Sequence, residues 1–144
     1  MAMTWTPELA TGNALVDEQH RQLFQRFNDL HEAIGRQAGT AEVGRVLSAM
    51  AAYVVAHFRM EEMLMTAAKY PGLEAHRAAH DVMRVQVENL VDQFKAKGLD
   101  PLALLQVLGR WLVGHVQKDD MAMAAFLNAQ RQEAETDPAG GTAR

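Results

Sequence analysis

Four segments of this chain repeat apolar residues at helical spacing, and every one of them carries a histidine on the apolar side. That pattern constrains the fold more than any other feature. The first seam runs His20, Leu23, Phe24, Phe27, Leu30, Ile34. The second reads Val43, Leu47, Met50, Val54, His57, Glu61, Leu64, the third His76, His80, Met83, Val87, Leu90, Phe94, and the fourth Leu105, Leu108, Leu112, His115. Steps that alternate between three and four residues are those of helices crossing at about 20° around a common core. Five imidazoles and a glutamate in such a core are costly unless they find partners or a metal, because buried polar groups must be satisfied.

Turn chemistry sets the connectivity. Asp17 reads as the N-cap of a helix reaching about Gln37. Gly39-Thr40 breaks the chain, with Thr40 placed to cap a second helix from about Ala41 to Ala67. Tyr70-Pro71-Gly72 forms the next turn, before a third helix from about Leu73 to Lys97 that ends at Gly98. Asp100 then caps a fourth, with Pro101 at its first position, where a missing N–H costs nothing. A further short helix is expected over Met121–Gln130. Short connections make neighbours antiparallel, so the fold expected is all-α: an up-down-up-down four-helix bundle with an N-terminal arm and a short C-terminal helix. The arm, Thr4–Leu15, reads as extended and anchored by Trp5. We expect one domain over residues 1–132 and a flexible tail over 133–144, where Gly, Pro and Ala accumulate.

This topology brings the histidines to one level. His20 lies near the start of the first helix and His115 near the end of the fourth, so both fall at one end of the bundle. The end of the second helix, with His57 and Glu61 four residues apart, and the start of the third, with His76 and His80 at the same spacing, meet there too. His31 is eleven residues after His20, roughly 16 Å along the helix, and reads as structural or partly exposed. Asp120 follows His115 by five residues, roughly 140° around an ideal helix. It reaches the site only if the fourth helix is bent or interrupted, and Asp119, four residues on, is its rival. The nine methionines, Met60, Met63 and Met65 among them, read as core filler, and Glu62 as a solvated neighbour of Glu61.

Seven protein ligands exceed what one first-row ion takes beside an exogenous ligand, but suit two ions that share carboxylates. Imidazole suits zinc, copper, iron and nickel, while carboxylates favour harder ions, so iron is natural without being unique. The chain has no cysteine, which excludes thiolate sites, disulfides and cysteine nucleophiles. A net charge of −4 without a basic stripe argues against nucleic acid as a partner. No run nears the roughly 20 apolar residues of a membrane span, and the first residues lack the pattern of a signal peptide. We therefore expect a cytoplasmic protein, and a monomer.

The motifs Val16-Asp17-Glu18-Gln19-His20, His57-Phe58-Arg59-Met60-Glu61-Glu62, Tyr70-Pro71 with His76-Arg77-Ala78-Ala79-His80, and Trp111-Leu112-Val113-Gly114-His115 leading to Asp120 together resemble the bacterial hemerythrins, from Trp5 to about Leu127. This resemblance implies a non-haem di-iron centre that binds dioxygen. One iron would take His76, His80 and His115, and the other His20 and His57. Glu61 and Asp120 would bridge them, beside an oxo or hydroxo group from solvent. It thereby favours Asp120 over Asp119. Dioxygen would bind at the two-histidine iron, in a dry pocket of Leu23, Phe58, Trp111, Leu112 and Val116. The role implied is reversible oxygen storage, delivery to an oxygen-consuming enzyme, or sensing, with no catalytic residue. The alternative is an enzyme acting on peroxide, oxygen or nitric oxide, or an iron store. One departure stands out: these proteins often carry tyrosine three residues after the bridging aspartate, where this chain has Met123.

Overall fold

The computed structural model describes residues 3–97 and 100–136. They form an antiparallel bundle of α1 (Ala14–Gly35), α2 (Thr40–Ala68), α3 (Leu73–Lys97) and a fourth rod made of α4 (Pro101–Gly114), a π-helical turn (His115–Asp120) and α5 (Met121–Thr136). Gly114, His115 and Met121 all keep right-handed helical dihedrals, so the rod is continuous. α1 packs on α2 and α4, and α2 also on α3 and α5. Among the described residues no helix is long and apolar enough to cross a membrane.

The seams do form the core. Leu23, Leu30, Leu47, Met50, Leu104, Leu108 and Leu112 are among its fully buried side chains, each worth about 1.5–3 kcal/mol relative to exposure. This main cluster occupies most of the bundle. A second, smaller cluster of Val16, Met65 and Met123, with Met60, Leu64, Tyr70, Leu73 and Leu127 against it, closes one end. Along each of the four rods the sequence passes from one cluster to the other through the histidine positions. The polar residues therefore form a layer with apolar packing on both sides.

The helix ends differ from expectation in places. Asp17 is not the N-cap of α1. That position belongs to Asn13, whose extended backbone lets its side chain accept the Val16 N–H at 3.1 Å. Asp17, buried in the first turn, instead accepts from the Thr11 N–H at 2.8 Å and the Thr11 hydroxyl at 2.7 Å, tying the arm to the bundle. Gly39 takes the N-cap position of α2 without a side-chain bond, and Thr40 is already helical. Lys69 ends α2 in the left-handed region (φ 56°), and the Tyr70 ring then folds so close over Gly72 that a β-carbon there would lie 2.8 Å from it. Asp100 caps α4 as expected, accepting from the Leu102 N–H.

The arm contains a 3₁₀ turn at Pro7–Leu9 rather than being extended throughout. Trp5 does pack on the core, and the Arg21 guanidinium lies 4.2 Å from its ring centre. α5 passes the expected end at Gln130 and reaches Thr136, so residues 133–136 of the expected tail are helical. The expected stop at Gly98 and the rest of the tail, 137–144, lie outside the described residues. Met65 and Met123 fill core space, but Met63 does not, being 72% exposed.

Candidate metal centre

All seven residues singled out in the sequence meet in the polar layer: His20 from α1, His57 and Glu61 from α2, His76 and His80 from α3, and His115 and Asp120 from the π-helical turn. Each is buried. The π turn is what admits Asp120. Its backbone closes hydrogen bonds over five residues rather than four, so positions 115 and 120 come round to one face. Asp119 points the other way, and its carboxylate accepts a hydrogen bond from His115 Nδ1 at 3.1 Å.

The two buried carboxylates each divide their oxygens between two groups of imidazoles. Glu61 Oε1 lies 3.1 Å from His80 Nε2 and 3.3 Å from His76 Nε2, while its Oε2 lies 2.9 Å from His57 Nε2. Asp120 Oδ1 lies 2.9 Å from His115 Nε2 and 3.1 Å from His76 Nε2, while its Oδ2 lies 2.7 Å from His20 Nε2. Two sets of ligand atoms follow, His76, His80 and His115 on one side and His20 and His57 on the other. Glu61 and Asp120 belong to both, and within each set the atoms lie within 4.8 Å of one another.

His20 Nε2 with Asp120 Oδ2 and His80 Nε2 with Glu61 Oε1 have hydrogen-bond geometry, but the other contacts are near without being well-formed hydrogen bonds. His57 Nε2, His76 Nε2, Glu61 Oε2 and Asp120 Oδ1 are buried and lack a partner of suitable geometry among the described residues. His80 Nε2 faces His115 Nε2 at 3.2 Å, nitrogen against nitrogen. Buried polar atoms left so are rare and call for an explanation. A cation between them supplies one, since lone pairs converging from several sides are what a metal ion needs and what a hydrogen bond does not.

The outer ring nitrogens support that orientation. His80 Nδ1 donates to Glu62 Oε2 at 2.9 Å, His115 Nδ1 to Asp119, and His57 Nδ1 to Gln19 Oε1 at 2.7 Å. A proton fixed on Nδ1 leaves the Nε2 lone pair of the neutral ring turned inward. Glu62 is therefore not simply solvated, as its place beside Glu61 implies in the sequence. Its side chain is 26% exposed and holds a ring. Gln19, Glu62 and Asp119 escape a reading of the apolar seam because none is on it. The four-residue step from His115 to Asp119 is the one local signal that could have revealed such a partner.

In the metal-free chain, burial works against charge on His20, His57, His76 and His115, but hydrogen bonds and charge from Asp120 and Glu61 outweigh it. His57 and His76 are raised to about 9 and His115 to about 10, and His20 moves the same way. Burial likewise opposes ionisation of Glu61, yet the His57 charge and hydrogen bonds from His115 and His20 hold it well below the usual carboxylate range. Asp120 is lowered too, against both its burial and the Glu61 charge, by hydrogen bonds from His115, His20 and His57.

The residues expected to wall a pocket gather beside this layer. Leu23, Phe58, Leu112 and Val116 are buried in the main core, with Trp111 half-buried against them. Two aromatic rings also fix imidazole planes. Phe58 stacks on His80 at 3.9 Å between centroids and Trp111 on His115 at 5.2 Å, both close to parallel. Met123 is fully buried beyond the layer, in the smaller cluster.

Comparison with known proteins agrees with this geometry. The family model described as the hemerythrin HHE cation binding domain matches residues 11–127. A bacteriohemerythrin of Stenotrophomonas maltophilia is 34% identical over 127 residues, covering 88% of this chain and 82% of that protein. One from Methylococcus capsulatus is 33% identical over 129 residues, covering 88% and 98%. A crystal structure of wild-type hemerythrin superposes with a TM-score of 0.82 at 31% identity, covering 88% of this chain and 98% of that one. The chain belongs to the hemerythrin family.

Proposed function

We propose that this chain holds a pair of iron ions and binds dioxygen to them reversibly. One ion is held by His76, His80 and His115 and the other by His20 and His57, with Glu61 and Asp120 shared. The observation that carries this reading is the division of each buried carboxylate's two oxygens between the two sets of imidazoles. Such a donor set, rich in imidazole with two carboxylates, fits iron well. When bound, ferrous iron supplies the reversible electron donation that dioxygen binding requires.

The chain's own residues do the rest. The His20/His57 set offers one imidazole fewer, which leaves room for a ligand on that side. Leu23, Phe58, Leu112 and Val116 are hydrocarbon, so they neither carry a proton to that position nor attract water to it. The outward bonds of His57, His80 and His115 keep the ring nitrogens aimed without spending a proton at the centre. These features support holding oxygen for storage, delivery or sensing over consuming it.

The test is an optical spectrum of the iron-loaded protein under cycled oxygen, with iron quantified on the same sample. We expect two irons per chain and a coloured oxygenated form that fades under vacuum and returns with air. Two irons without such a form, or steady consumption of peroxide, oxygen or nitric oxide, would overturn the reading. His57→Ala should abolish oxygen binding, and reversible binding retained in that variant would refute the ligand assignment.

A further inference from the structure

The two sets of ligands are supported unequally from behind. Resting on the two-metal reading above, we infer that Glu62 and Asp119 make the His76/His80/His115 half the tightly held metal site, while Gln19 leaves the His20/His57 half exchangeable, loaded second and lost first. Glu62 and Asp119 act as positioning residues that also strengthen the rings they hold.

The argument is one of charge behind each ring. A full negative charge accepting from Nδ1–H pulls the proton outward and makes the opposite nitrogen a stronger donor to a cation. A neutral amide does so much less. His80 has Glu62 behind it at 2.9 Å and His115 has Asp119 at 3.1 Å. Glu62 is itself held in place, with Arg77 Nε 3.7 Å from its other oxygen. On the opposite side His57 has the Gln19 amide at 2.7 Å, and His20 Nδ1 is buried with no hydrogen-bond partner among the described residues. One half thus has three imidazoles, two of them backed by carboxylates. The other has two imidazoles, neither so backed.

Glu62 and Asp119 have side chains 26% and 35% exposed. Replacing such an outer partner of a metal-bound histidine costs about 10- to 100-fold in metal affinity, so the positions are consequential without touching the metal.

The experiment follows metal loss from the intact chain. The full-length protein, loaded anaerobically with ferrous iron, is mixed with excess of a chromogenic ferrous chelator, and release is recorded with time. Wild type should release one iron fast and one slowly. Glu62→Gln and Asp119→Asn should each accelerate the slow phase about 10- to 100-fold and leave the fast phase unchanged. Gln19→Glu should slow the fast phase, a gain that impaired folding cannot mimic. Two irons leaving wild type at a single rate, or Glu62→Gln and Asp119→Asn speeding both phases equally, overturns this inference alone. A chain that loads only one iron overturns the two-metal reading and this inference with it.

Discussion

A one-residue insertion and a one-residue deletion in the π-helical turn should have opposite consequences for the centre. In a regular helix each residue advances about 100° and 1.5 Å, so an alanine inserted between Gln117 and Lys118 turns Asp120 by about 100°. At a Cα radius of about 2.3 Å that moves the backbone by about 3.5 Å, and the carboxylate further. Asp120 meets its imidazoles at 2.7, 2.9 and 3.1 Å, so all three contacts are lost. Stripping a buried group of its charged partner costs about 3–5 kcal/mol, which for a chain of this size lowers the melting temperature by about 10 °C or more. Deleting Lys118 instead returns the turn to α-helical spacing. Asp120 then follows His115 by four residues, about 40° away and on the same face, and α5 keeps its register. The loss is the Asp119 bond to His115, about 1.5–3 kcal/mol for a charge-assisted hydrogen bond and toward the lower figure at a half-exposed position. Thermal unfolding of the metal-free variants by circular dichroism, followed by a metal count after reconstitution, separates the two. The deletion should load two ions and melt well above the insertion. A deletion as damaging as the insertion would refute the idea that the turn is a single-residue wedge that aims Asp120.

Other consequences concern packing, the arm and pH. Phe58→Ala removes the ring stacked on His80 and should cost about 3–5 kcal/mol, read by urea unfolding; an effect under about 1 kcal/mol would mean that the site collapses around the gap. Asp17→Ala releases the Thr11 amide and hydroxyl together, for about 1.5–3 kcal/mol, and should make the first dozen residues an early target in limited proteolysis while the bundle survives. In the metal-free protein the raised folded pKa values of His57, His76 and His115 give stability that is fully present below about 6.5 and is lost as pH rises through about 9 to 10. Unfolding midpoints measured from pH 6 to 10.5 should therefore fall, and a flat profile would refute the charge assignment.

What the sequence disclosed follows from what is periodic. Leu23, Leu47, Leu108 and their neighbours repeat at helical spacing, and histidines on those seams had nowhere to point but inward. The antiparallel order then brought four helices' ligands to one level, because helix starts and ends alternate along the bundle. The features that depend on single side chains at chain ends were less accessible. Asp17 and Asn13 are both good caps by residue type, and only the backbone at Asn13 decides between them. In the sequence Gln19 and Glu62 look like solvated polar positions and Asp119 like a rival ligand to Asp120, since a hydrogen bond to the back of a buried ring leaves no periodic trace.

The pair Asp119 and Asp120 shows why the fourth rod was ambiguous. Spacing on a regular helix can give His115 only one carboxylate, four residues on, and that choice is Asp119. Chemistry at the centre needs a carboxylate inside the bundle, and that is Asp120. The π turn answers both demands, because the residue it adds lets Asp120 come round to the ligand face while Asp119 stays four residues from His115, on the outer side of the same ring. Two adjacent aspartates thus hold one imidazole from opposite directions, the one at Nδ1 and the other facing Nε2. A straight helix cannot supply that arrangement, so the irregular turn is where the backbone departs from periodicity in order to place a ligand and its support together.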